Sequence, residues 1–301
     1  MSPGLEFDRV SRWYGPVLGI SDISFRVESG VVGLLGKNGA GKTTLLKLAA
    51  GLLDASIGAV RVFGGSPQRL AVRARIGICS DVDRFYERMT GRDWVTWQLR
   101  LAGVANARVR ATEALERLDM QDRMDTRIGG YSKGMRQRVK LARAIAGDAD
   151  LLLLDEPLNG LDPVGRHDVV KLIQELGESG KSVLVSSHVL QEVEEITRSL
   201  LLIHQGRVLA EGTIENIRTQ LEERAHLVEL RARDLRGLAA RIIGCEGVEG
   251  LDVVDGRLVA RVRDTDAFFD EVTSIGSDFG VSAVVPLDAG LEAVFDYLVK
   301  E

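Results

Sequence analysis

The chain has few of the residues that would tie it to an oxidising compartment or to a lipid bilayer. It holds only 2 cysteines and 6 prolines among 301 residues. Cys79 and Cys245 cannot form a disulfide framework and lack metal-site spacing, so both are expected to be small packing residues in a reducing compartment. No stretch approaches the ~18 apolar residues of a membrane span. The N-terminal segment MSPGLEFDRV also lacks the apolar core of a signal peptide.

Positive charge is scarce as well. The chain has 39 Lys and Arg residues against 44 Asp and Glu residues, which gives a formal net charge of −5. Because no run of Lys and Arg is long enough to make a basic stripe, nucleic acid is not expected as the main partner. Hydrophobic residues make up 45% of the chain, which is enough for a sizeable core. The length suggests about two domains.

One glycine-rich segment carries the most specific pattern. GKNGAGKT, at residues 36–43, fits G-x-x-x-x-G-K-[ST] in full, between an apolar strand (VVGLLG) and an apolar-striped helix (TTLLKLAAGLL). Glycines let backbone N–H groups turn toward phosphate oxygens, Lys42 suits the β- and γ-phosphates, and the Thr43 hydroxyl suits Mg²⁺. A glycine-rich turn with a surface lysine is the weaker alternative. The predicted nucleotide-binding residues here are Gly36, Asn38, Gly39, Ala40, Gly41, Lys42, Thr43 and Thr44.

The segments around this P-loop predict a layered α/β domain. Alternating apolar residues in VLGISDISFRVESG and GAVRVFG indicate antiparallel strands, and LLLLDEP indicates a parallel strand buried on both faces. Residues from about 88 to 146 have helical periodicity. Trp94, Trp97 and Leu101 recur there at helical spacing and are expected to form the core of a helical subdomain. LLIHQGRVLAEGT predicts a hairpin around Gln205.

The composition changes in the last quarter of the chain. Short alternating strands, a hairpin signal at Asp255–Gly256 and interleaved helices give the order βαββαβ, followed by a terminal helix in AGLEAVFDYLVK. The expected fold class is therefore α/β: a P-loop NTPase cassette in residues 1–223, with a mixed sheet core, an antiparallel β subdomain and a helical subdomain. A small α+β ferredoxin-like domain is expected in residues 224–301.

Three further segments, in this order after the P-loop, resemble the ATP-binding cassette (ABC) ATPases. YSKGMRQ stands where that family has its LSGGQ signature, LLLLDEP…GLDP resembles its Walker B strand and D-loop, and VSSHVLQEVE resembles its switch-histidine segment. Together with the P-loop, these segments cover most of residues 5–221. The resemblance implies an enzyme that hydrolyses ATP with Mg²⁺ as cofactor.

The resemblance also implies roles for individual residues. Asp155 would hold Mg²⁺, Glu156 would polarise the attacking water, and His188 would contact the γ-phosphate. The alternative for the two acids is that they only solvate the end of a strand. Tyr14 resembles the aromatic residue that stacks on adenine, with Trp13 as the nearby competitor.

The signature segment implies that two chains are needed. In this family Ser132 and the helix start after Gly134 would cap the γ-phosphate bound to a second cassette. Since this sequence has one P-loop and one signature, a dimer with two composite sites is expected, built from two copies or from this chain and a paralogue. Tyr131 and Lys133 replace the usual leucine and glycine, and Lys133 is either a phosphate contact or a solvated side chain.

The loop that should carry a glutamine departs most from the family pattern. IGICSDVDRFYERMT has Asp81 near that position. A carboxylate there is a third candidate ligand for Mg²⁺, beside Thr43 and Asp155, but its reach is shorter than that of glutamine.

The tail VVPLDAGLEAVFDYLVK resembles the end of the accessory domain on cassette subunits of ABC-2-type exporters. It implies an ATPase subunit that drives a separate membrane permease from the cytoplasmic face of the membrane. Arg84, Phe85 and Tyr86 stand where such subunits receive the permease, although they could equally pack on the helical subdomain. The alternatives are a soluble cassette protein that acts on ribosomes or DNA, and a scaffold that binds ATP without hydrolysing it.

Overall fold

The structure, a computed structural model, describes residues 4–217, 226–245, 247–254 and 256–286. The chain divides into two compact units, Met1–Ile214 and Glu215–Glu301. The boundary expected from the sequence, after residue 223, falls in the stretch 218–225, which is outside the described residues.

Two sheets organise the first unit. Its strands are β1 (Leu5–Tyr14), β2 (Val17–Val27), β3 (Gly30–Leu35), β4 (Ile57–Val62), β5 (Ile76–Cys79), β6 (Leu151–Asp155), β7 (Ser182–Ser187), β8 (Ser199–His204) and β9 (Arg207–Thr213). β2, β1 and β4 form a three-stranded antiparallel sheet. The other six form a mixed sheet in the order β5-β6-β7-β3-β8-β9, parallel except for β9. The predicted antiparallel subdomain, the buried parallel strand and the hairpin at Gln205 are thus confirmed.

Seven helices of the first unit surround these sheets in the described part of the chain. They are α1 (Lys42–Ala49), α2 (Leu70–Arg73), α3 (Gly91–Leu101), α4 (Ala107–Glu116), α5 (Lys133–Ala146), α6 (Pro163–Glu178) and α7 (Leu190–Ile196). Side chains cap the N-termini of three of these helices: Thr90 caps α3, Ser132 caps α5 and Asp162 caps α6. Each side chain accepts a hydrogen bond from the backbone N–H of the residue three positions later. Pro163 follows the last cap, where its missing N–H costs no helical hydrogen bond.

The helical subdomain has a core that differs from the predicted one. Trp94 is 6% exposed, as expected, but Leu101 is 68% exposed, so its assignment to the core was wrong. Val95 and Leu99 are buried with Trp94, and at 100° per residue these positions centre the buried face of α3 on Val95. Leu101 lies about 120° from that centre, just beyond Trp94 at about 100°, and it is the last residue of α3, so it falls at the uncovered edge of the packed face.

The second unit is a small α+β domain. Its elements are β10 (His226–Ala232), α8 (Leu235–Ile242), β11 (Val248–Val254), β12 (Arg257–Val262), α9 (Thr265–Phe279) and β13 (Val281–Pro286). The four strands form an antiparallel sheet in the order β11-β12-β10-β13, which confirms the βαββαβ order and its ferredoxin-like topology. The predicted terminal helix lies outside the described residues. No helix among the described residues is long and apolar enough to cross a bilayer.

Candidate functional site

The loop between β3 and α1 owes its shape to glycines that are needed for two different reasons. Gly39 and Gly41 have φ values of 82° and 110°, a region that other residues rarely adopt. Gly36 does not have a positive φ. It allows a close approach instead, because a Cβ there would lie 2.6 Å from the carbonyl oxygen of Ile203. Ala40 is buried, and its carbonyl oxygen accepts a hydrogen bond from the N–H of Gly206 at 2.8 Å.

This loop forms one wall of an open cavity of about 450 Å³. The cavity brings together residues that are far apart in the sequence, because the carboxyl ends of β3, β5 and β6 meet at one sheet edge. The predicted site residues that line it are Asn38, Gly39, Gly41, Lys42, Thr43, Thr44, Asp81, Asp155 and Glu156. Val17, Leu18, Gly19, Lys37 and Gln205 complete the wall, and no sequence pattern singled them out.

Oxygen ligands meet at one end of the cavity. The Thr43 hydroxyl donates to Asp155 Oδ2 at 3.0 Å, and the Ser186 hydroxyl donates to Asp155 Oδ1 at 2.6 Å. Asp155 is only 4% exposed, and Asp81 lines the same cavity. A hydroxyl and a buried carboxylate in contact are hard oxygen ligands of the kind that Mg²⁺ prefers, so the residues present fit this ion. Sequence reasoning missed Ser186, for which the only signal was the Ser-Ser pair that ends β7.

Glu156 occupies the centre of a polar cluster. Its carboxylate lies 3.3 Å from Lys42 Nζ and 2.9 Å from His188 Nδ1. Because a carboxylate can only accept, His188 Nδ1 carries the proton in this contact. The Lys42 ammonium also donates to the Gly36 carbonyl oxygen at 2.5 Å. The three predicted catalytic residues are therefore brought together.

The backbone of Glu156 is strained and held from both sides. Its φ is 49°, in the left-handed region that is uncommon for residues other than glycine. The Glu156 N–H donates to Ser186 Oγ at 3.0 Å, and the Glu156 carbonyl accepts from Gln137 Nε2 at 3.2 Å. Such strain persists only where the surroundings fix it, and it is most often found at active sites.

The two aromatic residues at the end of β1, Trp13 and Tyr14, face different sides of the strand. Successive strand residues point to opposite faces, so Trp13 and Tyr14 cannot both face the P-loop. Tyr14 does: its hydroxyl lies 3.2 Å from Thr44 Oγ1, and the Arg12 guanidinium lies 5.2 Å from its ring centroid. Tyr14 itself is 41% exposed, which leaves much of the ring accessible to a ligand.

The signature segment lies elsewhere in its own chain. Ser132 and Gly134 do not line the cavity, and exposed Ser132 caps α5 by accepting from the Met135 N–H at 3.2 Å. Lys133 is exposed, and its ammonium donates to Asn159 Oδ1 at 2.8 Å. The signature is thereby tied to the segment that follows Glu156.

The residues after Asp81 divide between packing and exposure. Phe85 packs on Trp94 with ring centroids 4.8 Å apart, which matches the packing alternative. Tyr86 is 60% exposed and meets Trp97 edge-on at 5.3 Å, and Arg84 is also exposed.

A buried thiol lies behind the site. Cys79 is 1% exposed, and burial raises its pKa to about 12. The thiol therefore stays protonated at neutral pH and is inert, as a packing residue should be.

Comparison with known proteins agrees with this geometry. A family model described as ABC transporter matches residues 20–159. The chain is 39% identical over 207 residues to the ABC transporter ATP-binding protein NatA of Bacillus subtilis (strain 168), which covers 67% of this chain and 84% of that protein. It is 37% identical to the Nod factor export ATP-binding protein I of Paraburkholderia xenovorans (strain LB400), covering 69% of this chain and 70% of that one. It is 35% identical to a daunorubicin resistance ATP-binding protein of Streptomyces coeruleorubidus, over 80% and 78% of the two chains.

Solved structures give the same result. An ATP-binding subunit of an ABC transporter superposes with a TM-score of 0.67 at 29% identity, covering 72% of this chain and 92% of that one. A dimeric bacterial ABC transporter cassette superposes with a TM-score of 0.65 at 21% identity, covering 70% and 98% of the two chains. The second likeness concerns the fold alone.

Proposed function

Because the chain belongs to the ABC transporter family, as an ATP-binding subunit with ATPase activity, we propose that it powers export through a separate ABC-2-type membrane permease. The observation that carries the catalytic part is the cluster in which Glu156 contacts both Lys42 and His188 beside the P-loop. The names of two relatives, a Nod factor export protein and a daunorubicin resistance protein, support the export direction.

Binding is the first task of the site. The P-loop N–H groups and the start of α1 hold the phosphates, and Lys42 neutralises the β- and γ-phosphates. Tyr14 stacks on adenine, with its hydroxyl anchored near Thr44. Thr43 and Asp155 hold Mg²⁺, with Asp81 as a further ligand, and the ion supplies charge neutralisation at the phosphates.

Hydrolysis is the second task. Glu156 accepts a proton from the attacking water, and the strained backbone keeps its carboxylate at the cavity wall. His188 binds Glu156 through Nδ1, so Nε2 is the atom left for the γ-phosphate. Binding of the phosphate draws Lys42 toward the new negative charge and so releases Glu156 for the water.

The second half of each site comes from another cassette. The position of Ser132 and Gly134, outside the cavity of their own chain, supports a role in capping ATP held by a partner. Closure of two cassettes on ATP and their separation after loss of the γ-phosphate would supply the stroke that moves the permease.

Co-purification from the native host tests the transport role. The tagged chain is extracted from membranes in mild detergent, and the material bound to it is identified by mass spectrometry. A stoichiometric membrane protein with several spans and the ABC-2 permease fold is the expected result. Recovery from the cytosol alone, or with ribosomes or DNA, would contradict the exporter proposal and favour the nucleotide-switched binding protein.

A further inference from the structure

Helix α5 carries two buried polar side chains one turn apart, and each binds a loop of the nucleotide site. Gln137, 3% exposed, donates to the carbonyl oxygens of Glu156 at 3.2 Å and Pro157 at 3.0 Å. Lys140, 8% exposed, donates to the carbonyl oxygen of Asp81 at 3.1 Å. The resemblance to ABC ATPases implied roles for Ser132 and Gly134 at the start of this helix and none for these two side chains.

The buried lysine fixes the Asp81 loop at two points. Besides the Asp81 carbonyl oxygen, Lys140 Nζ lies 2.8 Å from Asp83 Oδ1. A buried ammonium is costly unless its donors are paired, so the loop is held to α5 by a charge as well as by a neutral hydrogen bond. Asp83 itself remains partly exposed.

The position of Asp81 makes this attachment relevant to the chemistry. Its backbone is fixed to α5 while the residue lines the nucleotide cavity. Aspartate has one methylene fewer than glutamine, so a small displacement of the loop removes the carboxylate from the reach of an ion at Thr43 and Asp155. The short side chain therefore depends on an accurately held backbone.

We propose that Lys140 is a positioning residue for Asp81, which it holds at the wall of the nucleotide cavity through the carbonyl oxygen of Asp81 and the carboxylate of Asp83. This inference rests on the proposed metal role of Asp81. Lys140 touches neither nucleotide nor metal and acts only through the loop.

The test uses the full chain with three changes to this contact. Lys140→Met removes the charge and keeps most of the volume, Lys140→Arg keeps the charge, and Asp83→Asn breaks the ion pair from its exposed side. Lys181→Met is the matched control. Lys181 Nζ also binds one carboxylate oxygen, of Asp148 at 3.0 Å, and one carbonyl oxygen, of Ala149 at 2.8 Å, and it does not line the cavity.

Two readouts separate positioning from general stability. The first is the Mg²⁺ concentration that gives half-maximal ATP hydrolysis at fixed ATP. The second, independent of turnover, is the affinity of Mn²⁺ for the protein with a non-hydrolysable ATP analogue, measured by electron paramagnetic resonance. Thermal melting reports whether each variant is folded.

Lys140→Met and Asp83→Asn are expected to raise the half-maximal Mg²⁺ concentration and to weaken Mn²⁺ binding about tenfold. Loss of a contact that orients a metal ligand has an effect of this size. Lys140→Arg should keep most of the metal affinity, and Lys181→Met should leave both measured values unchanged. Asp81→Ala should have the same effect as Lys140→Met, and the double variant should have no larger one.

Three results would overturn the inference in distinguishable ways. If Asp81→Ala weakens metal binding but neither Lys140→Met nor Asp83→Asn does, Lys140 has no positioning role and the proposed function stands. If Lys181→Met weakens metal binding as much as Lys140→Met does, the effect comes from a general loss of stability and not from positioning. If Asp81→Ala leaves metal binding unchanged, the metal role of Asp81 fails, and the inference built on it fails with it.

Discussion

At the scale of single residues, Glu156 combines an unfavourable backbone angle with four polar side-chain neighbours, one of which, Gln137, binds its carbonyl oxygen. Lys42 and His188 bind its carboxylate, and Ser186 binds its N–H. A strained residue so closely held is typical of a catalytic position, where the surroundings and not the residue decide the conformation.

Glu156→Gln tests the proposed role of this carboxylate. The amide keeps the shape of the side chain but cannot take a proton from water, so hydrolysis should fall by about 10²- to 10⁴-fold while ATP binding is kept. Phosphate release and binding of a fluorescent ATP analogue measure the two effects. Glu192→Gln is the matched control, because Glu192 accepts a hydrogen bond from neighbouring Ser187 and lies outside the cavity. A loss of only a few-fold would assign the base to another residue.

The two cysteines give a prediction about pH. An ordinary thiol reacts faster as pH rises from 7 to 9, because the thiolate fraction grows. The raised pKa of Cys79, about 12, keeps it protonated over this range, and burial shields it. In a Cys245→Ser variant, Ellman's reagent should therefore label no thiol in the native protein at either pH and one after denaturation. Rapid native labelling would show that the strand end around Cys79 opens.

At the scale of secondary-structure elements, the sequence predicted what local patterns control. The leucine run of β6 and the hairpin at Gln205 each depend on neighbours in the sequence. Leu101 was misassigned because its spacing from Trp94 and Trp97 shows only that the three share one side of a helix. Packing partners decide how much of that side is buried, and Leu101 at the end of α3 is exposed.

The supporting contacts of the site could not be predicted in the same way. Ser186, Gln137 and Lys140 bind loops that are far away in the sequence; Lys140 and Asp81 are 59 positions apart. Motifs identify residues that contact the nucleotide, because binding phosphate limits which residue types can occupy those positions. The identity of the residues that hold those loops depends on how the loops are arranged in the folded protein, and a single sequence does not reveal that arrangement.

The start of α5 gives a prediction at this scale. Ser132 accepts from the Met135 N–H and is also proposed to bind a partner's γ-phosphate. Ser132→Ala should lose both, lowering stability by about 1 kcal/mol. Ser132→Asp should keep the cap and the stability, because aspartate caps as well as serine, but its charge repels phosphate. Melting curves report the capping role and ATPase rates report the phosphate role. An active Ser132→Asp variant would contradict the phosphate role.

At the scale of the whole molecule, the two halves of the proposed composite site lie at different places on one chain. The P-loop, Asp155 and Glu156 share one cavity, while Ser132 and Gly134 lie outside it. The second unit has a confirmed βαββαβ order but no assigned activity, since a fold of this kind hosts many functions.

Mixing two inactive variants tests the composite site most directly. Lys42→Ala disables the P-loop but leaves the signature, and Ser132→Asp disables the signature but leaves the P-loop. If each ATP is held by one chain's P-loop and the other chain's signature, an equal mixture regains about a quarter of the wild-type ATPase rate, because half the dimers are mixed and each has one intact site. A mixture no more active than the mean of its two components would show that each chain hydrolyses ATP with its own residues alone, and the account would be wrong.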